Sequence, residues 1–162
     1  MRSDGLPGES VITQEMLDAI GVESEPITHE VEGGAIVRFA QAIGDLNPVF
    51  NDEEAARKTR YGGLIAPPTF LDSLLSAPAG AEFPNPYPAS LEGGSEWRYF
   101  EPVRPGDRIT VNAKISDIFA RKGRLGDMLL VVREFRYVNQ FDQVAALRRR
   151  TAIYYQPPEG RP

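Results

Sequence analysis

Ile109-Thr110-Val111-Asn112-Ala113-Lys114-Ile115-Ser116 alternates apolar and polar side chains without a break. Successive side chains of an extended backbone point to opposite faces, so a period of two marks a strand with one face buried and the other wet. Turn chemistry bounds it: Pro105-Gly106-Asp107 before and the loop Arg121-Lys122-Gly123-Arg124 after. Working outward, residues 128–138 read as a second long strand rich in Val, Leu, Phe and Tyr, residues 139–143 as a turn, and residues 144–155 as a third strand. Trp97, Tyr99 and Phe100 belong to an earlier strand that closes the set. The second half is thus an antiparallel meander of about four long strands.

Towards the N-terminus the period changes. Thr13 is placed to cap a helix in which Met16, Leu17 and Ile20 share a face and Gly21 stops the run. Ala35, Ile36, Phe39, Ala40 and Ile43 line one face of a second helix ended by Gly44. Pro67-Pro68 set up a third, with Phe70, Leu71, Leu74 and Leu75 at helical spacing until Pro78. Its apolar residues run almost all round, which predicts burial on several sides. A short polar surface helix is expected over 52–58, and residues 27–31 read as extended. Helices followed by antiparallel strands make an α+β pattern, here a sheet wrapped round the third helix.

The chain has 162 residues, enough for one domain without a disulfide or metal staple. Residues 10–156 form that domain, and the segments 1–9 and 157–162, rich in Gly, Pro and charge, read as flexible tails. A net charge of −5 argues against nucleic-acid binding, which needs a basic face. With no cysteine there is no thiol nucleophile and no cysteine-ligated metal. The single histidine, His29, excludes any site that needs two, so no metal and no cofactor is expected. No apolar run is long enough for a signal peptide or a membrane span, and a cytoplasmic location with no membrane insertion is the expectation.

The densest constellation is Gly44-Asp45-Leu46-Asn47-Pro48-Val49-Phe50, directly after the second helix. A carboxylate on a Pro-rigidified loop can serve as a general base if burial lifts its pKa towards the working pH. The same residues can equally close an Asx-turn on their own backbone. Together with Tyr61-Gly62-Gly63-Leu64-Ile65-Ala66-Pro67-Pro68-Thr69-Phe70 and Gly93-Gly94-Ser95-Glu96-Trp97-Arg98-Tyr99-Phe100-Glu101-Pro102-Val103-Arg104-Pro105-Gly106-Asp107, this stretch resembles the MaoC-like hot-dog proteins. The match is to their N-terminal, fatty-acid-synthase-type dehydratase domain and covers about residues 10 to 155 in order and spacing. The resemblance implies a hot-dog fold, a central helix in a curved antiparallel sheet, paired as a double hot dog. It also implies R-specific addition of water to an enoyl thioester, or its removal, on an acyl-CoA or acyl-carrier-protein substrate.

Active members of the family carry Asp-x-Asn-Pro-x-His, whose carboxylate and imidazole activate one water. Asp45, Asn47 and Pro48 match that pattern, but Phe50 stands in the histidine's place and cannot carry a proton. His29 is read as a strand-face residue. The family's oxyanion donor is a glycine N–H at the start of the central helix; its position here is Pro68, which has no N–H, leaving the Thr69 amide as the nearest substitute. Ser76 matches the serine that supports the catalytic Asp. Loss of a positioned imidazole costs on the order of 10²–10⁴ in rate, and loss of an oxyanion donor about 10²–10³, although such losses do not simply add.

By the same resemblance Tyr61, Gly62, Gly63, Pro68, Thr69 and Trp97 are candidates for substrate binding. Tyr61-Gly62-Gly63 also reads as a plain turn, and Trp97, Tyr99 and Phe100 as packing. Arg148-Arg149-Arg150 sits inside a strand pattern, so at least one of the three must face inward or towards a partner; a solvated sheet face and a grip on a carrier phosphate are both open, and Arg121, Lys122 and Arg124 raise the same phosphate question. Three functional readings follow. The first is a hydratase or dehydratase subunit that shapes the acyl channel, heterodimeric with a hot-dog chain bearing the intact motif. The second is a self-sufficient homodimer working through Asp45, and the third is a non-catalytic acyl-thioester binding module.

Overall fold

The computed structural model describes residues 11–74, 80–124 and 126–157. A single five-stranded antiparallel sheet has the order β1-β3-β4-β5-β2, with β1 at Ile27–Glu30, β2 at Ala89–Tyr99, β3 at Arg108–Gly123, β4 at Gly126–Val138 and β5 at Val144–Tyr155. The period-two expectation holds in β3: Ile109, Val111, Ala113 and Ile115 are all buried while their neighbours are half-exposed. Two readings shift at the strand ends. Arg121, Lys122 and Gly123 are not a loop but the end of β3, paired through to Gly123↔Gly126, and Phe100 lies one residue past β2.

Paired residues share a face, so the register defines the inner surface. Val111 faces Tyr137, Ala113 faces Phe135, and Phe135 and Trp97 both face Arg148. Val111, Ala113, Phe135, Tyr137 and Ala146 join Ile36, Phe70, Leu71 and Val103 in the main core, with Trp97 packed against it. At the far end of the sheet Met16 and Ala19 pack on Ile115, Ile118, Leu129 and Val131.

Helix α1 (Gln14–Asp18) starts where expected, with the Thr13 hydroxyl accepting from the Met16 N–H. Met16 is buried, but Leu17 is turned outward. Helix α2 (Gly33–Ala42) buries Ile36 and Ala40 and ends at Gly44, whose φ of +73° suits a residue without Cβ. Its Phe39 meets Phe70 edge to face at 5.5 Å. The long third helix is corrected: among the described residues Pro68–Ser73 is helical, as a 3₁₀ turn that ends at Leu74, and Leu75 and Pro78 lie outside the described residues. Two groups there bond elsewhere: the Ser73 hydroxyl donates back to the Phe70 carbonyl at 2.6 Å, and Asp72 is drawn to Arg148 on β5. Side chains that offer the backbone local alternatives weaken helix propagation. Among the described residues no helix is long and apolar enough to cross a membrane.

Candidate functional site

Two short helices build the loop after α2: one the sequence reading did not find, and the polar one expected over 52–58. Asn47 caps α3 (Pro48–Asn51) by accepting from the Val49 N–H at 3.1 Å. Asp52 caps α4 (Glu53–Arg57) in the same way through the Ala55 N–H at 3.0 Å. Pro48 at the start of α3 presets the helical φ. Asp45 Oδ1 accepts from the Asn47 N–H at 3.0 Å, so the Asx-turn forms. The Asn51 amide donates to the carbonyls of Asp45 and Asn47, which fixes the loop from beneath.

This loop borders a cleft of about 540 Å³. Val49, Phe50, Ile65, Ala66, Leu71 and Val103, all buried, form its floor. Asn47, Arg60, Pro68, Phe100 and Glu101 stand at its rim. Main-chain bonds tie the walls together: Ile65 N–H to the Val49 carbonyl at 3.2 Å and Ala66 N–H to the Val103 carbonyl at 2.8 Å. The Arg104 guanidinium donates to the Tyr61 carbonyl at 2.7 Å, and the Arg104 N–H itself is held by the buried Asp107 carboxylate at 2.7 Å. Glu53, in the polar helix expected over 52–58, accepts from the Leu64 N–H at 3.3 Å and anchors the Gly62-Gly63 turn.

Of the candidate residues, Asn47, Phe50, Tyr61 and Pro68 come together around the cleft. Asp45, Gly62, Gly63, Thr69 and Trp97 do not line it, and Ser76 lies outside the described residues. Phe50 is 8% exposed and packs with Ala40, Val49, Ala56 and Ile65. The histidine's place is therefore an apolar socket. Pro67 and Pro68 open the 3₁₀ turn, so its first available amide is that of Thr69.

Trp97 packs away from the cleft, stacked on Tyr99 at 5.7 Å and tilted against Tyr137 at 5.4 Å. Arg148 lies over its ring at 4.9 Å. The strand pattern turns at least one of the three arginines inward or towards a partner, and Arg148 is the one that points inward, 12% exposed, pairing with Asp72 at 2.5 Å and with the Ser95 hydroxyl. Phe135 on the same face is close enough to share its charge. Arg150 pairs with Glu92 at 2.6 Å, and Arg149 is exposed.

Most of the remaining cleft wall was not singled out for binding: Arg60, Leu71, and Tyr99 through Val103. They come from three separate stretches, and only the sheet's closure brings them together. Arg60 Nη2 donates to the Tyr61 hydroxyl at 2.7 Å, leaving one cation at the rim. Burial pushes the Tyr99 hydroxyl above its ordinary value, Asp72 adds to that and Arg148 opposes it. Tyr99 thus meets a ligand as a neutral phenol at pH 7. The arrangement is an apolar trough with a polar rim, suited to hold an acyl chain; none of its floor residues can move a proton.

Residues 18–148 match the FAS1-like dehydratase domain region family. A "UPF0336 protein" from Streptomyces avermitilis is 39% identical over 100 residues, 59% of this chain and 67% of that protein. A MaoC-like dehydratase from Rhodospirillum rubrum superposes with a TM-score of 0.66 at 27% identity, covering 86% of this chain and 94% of that one. A chain of the ChsH1–ChsH2 complex from Mycobacterium tuberculosis superposes with a TM-score of 0.74 at 22% identity, covering 86% and 87%. The family match spans β1 to β4, the start of β5, the Asp45 loop and the cleft walls alike, and the chain belongs to the FAS1-like, MaoC-like hot-dog dehydratases.

Proposed function

We propose that this chain is one hot dog of an R-specific enoyl-thioester hydratase or 3-hydroxyacyl-thioester dehydratase, and that a partner hot dog with an intact Asp-x-Asn-Pro-x-His loop supplies water activation. The observation that carries the reading is Phe50, buried in an apolar cluster at the position where a proton carrier is needed. In the reaction, water adds its hydroxyl to C3 of the enoyl thioester and a proton reaches C2; dehydration reverses both. A base must take the water's proton and an acid must deliver one, and Asp45 alone, tied into its Asx-turn, is a single carboxylate for both tasks. This chain's part is to hold the acyl group: the trough buries apolar surface, and Arg60 offers a charge to the carrier at the rim.

The edge strand β2 has a neighbour on one side only, which leaves a main-chain edge open to a second hot dog. The similar Mycobacterium tuberculosis structure is a ChsH1–ChsH2 complex, which supports a mixed assembly here. The test is co-expression with a hot-dog chain from the same genome that carries the full motif. A one-to-one complex is expected whose crotonyl-CoA hydration disappears when the partner's histidine is replaced and survives Asp45→Asn in this chain. A homodimer whose activity is abolished by Asp45→Asn overturns the proposal in favour of self-sufficient catalysis.

A further inference from the structure

The trough reaches Leu71 on one wall and Tyr99 on the other. Beyond these two residues the inner face of the sheet changes character. Asp72 follows Leu71 in the 3₁₀ turn, and its carboxylate crosses to Arg148 on β5 at 2.5 Å. Arg148 is held over Trp97, and Trp97 is stacked on Tyr99. The ion pair therefore bridges the 3₁₀ turn to β5 and, through Trp97, to β2, one residue from Leu71 and against the ring stacked on Tyr99. Next along the same face come Ser95, bonded to Arg148, and the Arg150–Glu92 pair. The second apolar cluster, around Met16 and Leu129, lies on the far side of this polar belt.

We infer that the Asp72–Arg148 pair, with Tyr99 and Trp97 in front of it, closes the inner end of the trough and restricts this subunit to short acyl groups. The inference rests on the acyl-thioester reading above. A growing alkyl chain passing Leu71 and Tyr99 meets a paired guanidinium and carboxylate, not more hydrocarbon. Advancing further means breaking that pair, which leaves a poorly solvated arginine without its carboxylate. Where a channel continues through apolar walls, each added methylene tightens binding about fourfold, the ordinary worth of a buried CH₂. Here that gain is expected to stop once the chain fills the space over Ile65, Ala66 and Leu71.

The experiment uses saturated acyl-CoAs, which bind without turnover, from butyryl through hexanoyl and octanoyl to dodecanoyl. Trp97 is the only tryptophan of the chain and stands behind Tyr99, so its fluorescence is the readout, with calorimetry as a second. Affinity is expected to rise from butyryl to hexanoyl and then to fall at least tenfold by dodecanoyl. In Asp72→Leu/Arg148→Met, which removes both charges together, the fall is expected to disappear and dodecanoyl-CoA to bind best. Tyr99→Ala, which spares the ion pair and serves if the double variant does not fold, is expected to move the limit by a few carbons. Affinity in the unaltered chain that climbs steadily through dodecanoyl overturns the closure while leaving the acyl-thioester reading intact. So does a limit that neither variant moves. No binding of any acyl-CoA overturns both.

Discussion

At position 50 one side chain separates two chemistries. Phe50 is seated among Ala40, Val49, Ala56 and Ile65, so restoring the family's residue alone does not restore its function. Phe50→His puts an imidazole among the apolar side chains of Ala40, Val49, Ala56 and Ile65; an unsatisfied buried polar group costs about 1–3 kcal/mol. The variant is expected to unfold at lower urea concentration by that amount and to show no crotonyl-CoA hydration. A Phe50→His chain that keeps full stability and gains turnover contradicts the apolar-socket account. Position 50 was legible in the sequence because its meaning lies in a short linear motif. Arg148 was only partly so. A strand pattern says that one of three consecutive arginines must face inward, but its pairing with Asp72 joins residues 76 positions apart, and no local rule reports such a contact.

Helices and strands differ in how well their sequences announced them. Strand β3 follows from period two because one of its faces is buried along most of its length, whereas β4, with Leu129, Leu130, Val131 and Val132 all buried in succession, is announced by its composition. The third helix was overextended because apolar spacing cannot distinguish one short 3₁₀ turn from several α turns when Ser73 and Asp72 spend their polar groups elsewhere. The β2 strand holds a further constraint at Gly93-Gly94, where pairing with β5 shifts register between Glu92 and Gly94. A Cβ on Gly93 would lie 2.9 Å from Ile153 Cγ1 and 3.0 Å from the Thr151 carbonyl oxygen, and Gly94 sits at φ +137°. Gly93→Ala is expected to cost about 1–3 kcal/mol by overpacking at the bulge, read as a lowered urea midpoint with unchanged m-value. An unchanged midpoint would show that β2 relaxes away from β5 at no cost.

On the scale of the whole molecule, the fold is that of the dehydratase family, and the proposed function assigns the proton chemistry to a partner. Phe50 and Pro68 are the two positions that depart from the family pattern, while Asp45 keeps the family's carboxylate and closes an Asx-turn. The floor, the Arg104 and Glu53 anchors and the open edge of β2 are all in place. Such a division makes sense for a chain that binds and a partner that reacts. The candidate site was half legible for a related reason: its motif residues form one continuous stretch, whereas Arg60, Leu71 and Tyr99 to Val103 become neighbours only through the closed sheet. The most direct test is hydration of crotonyl-CoA by the purified chain alone, followed as loss of enoyl-thioester absorbance, with Asp45→Asn alongside. The account predicts no turnover above the uncatalysed rate in either protein. Clear turnover that Asp45→Asn abolishes would contradict it and establish a histidine-free mechanism centred on Asp45.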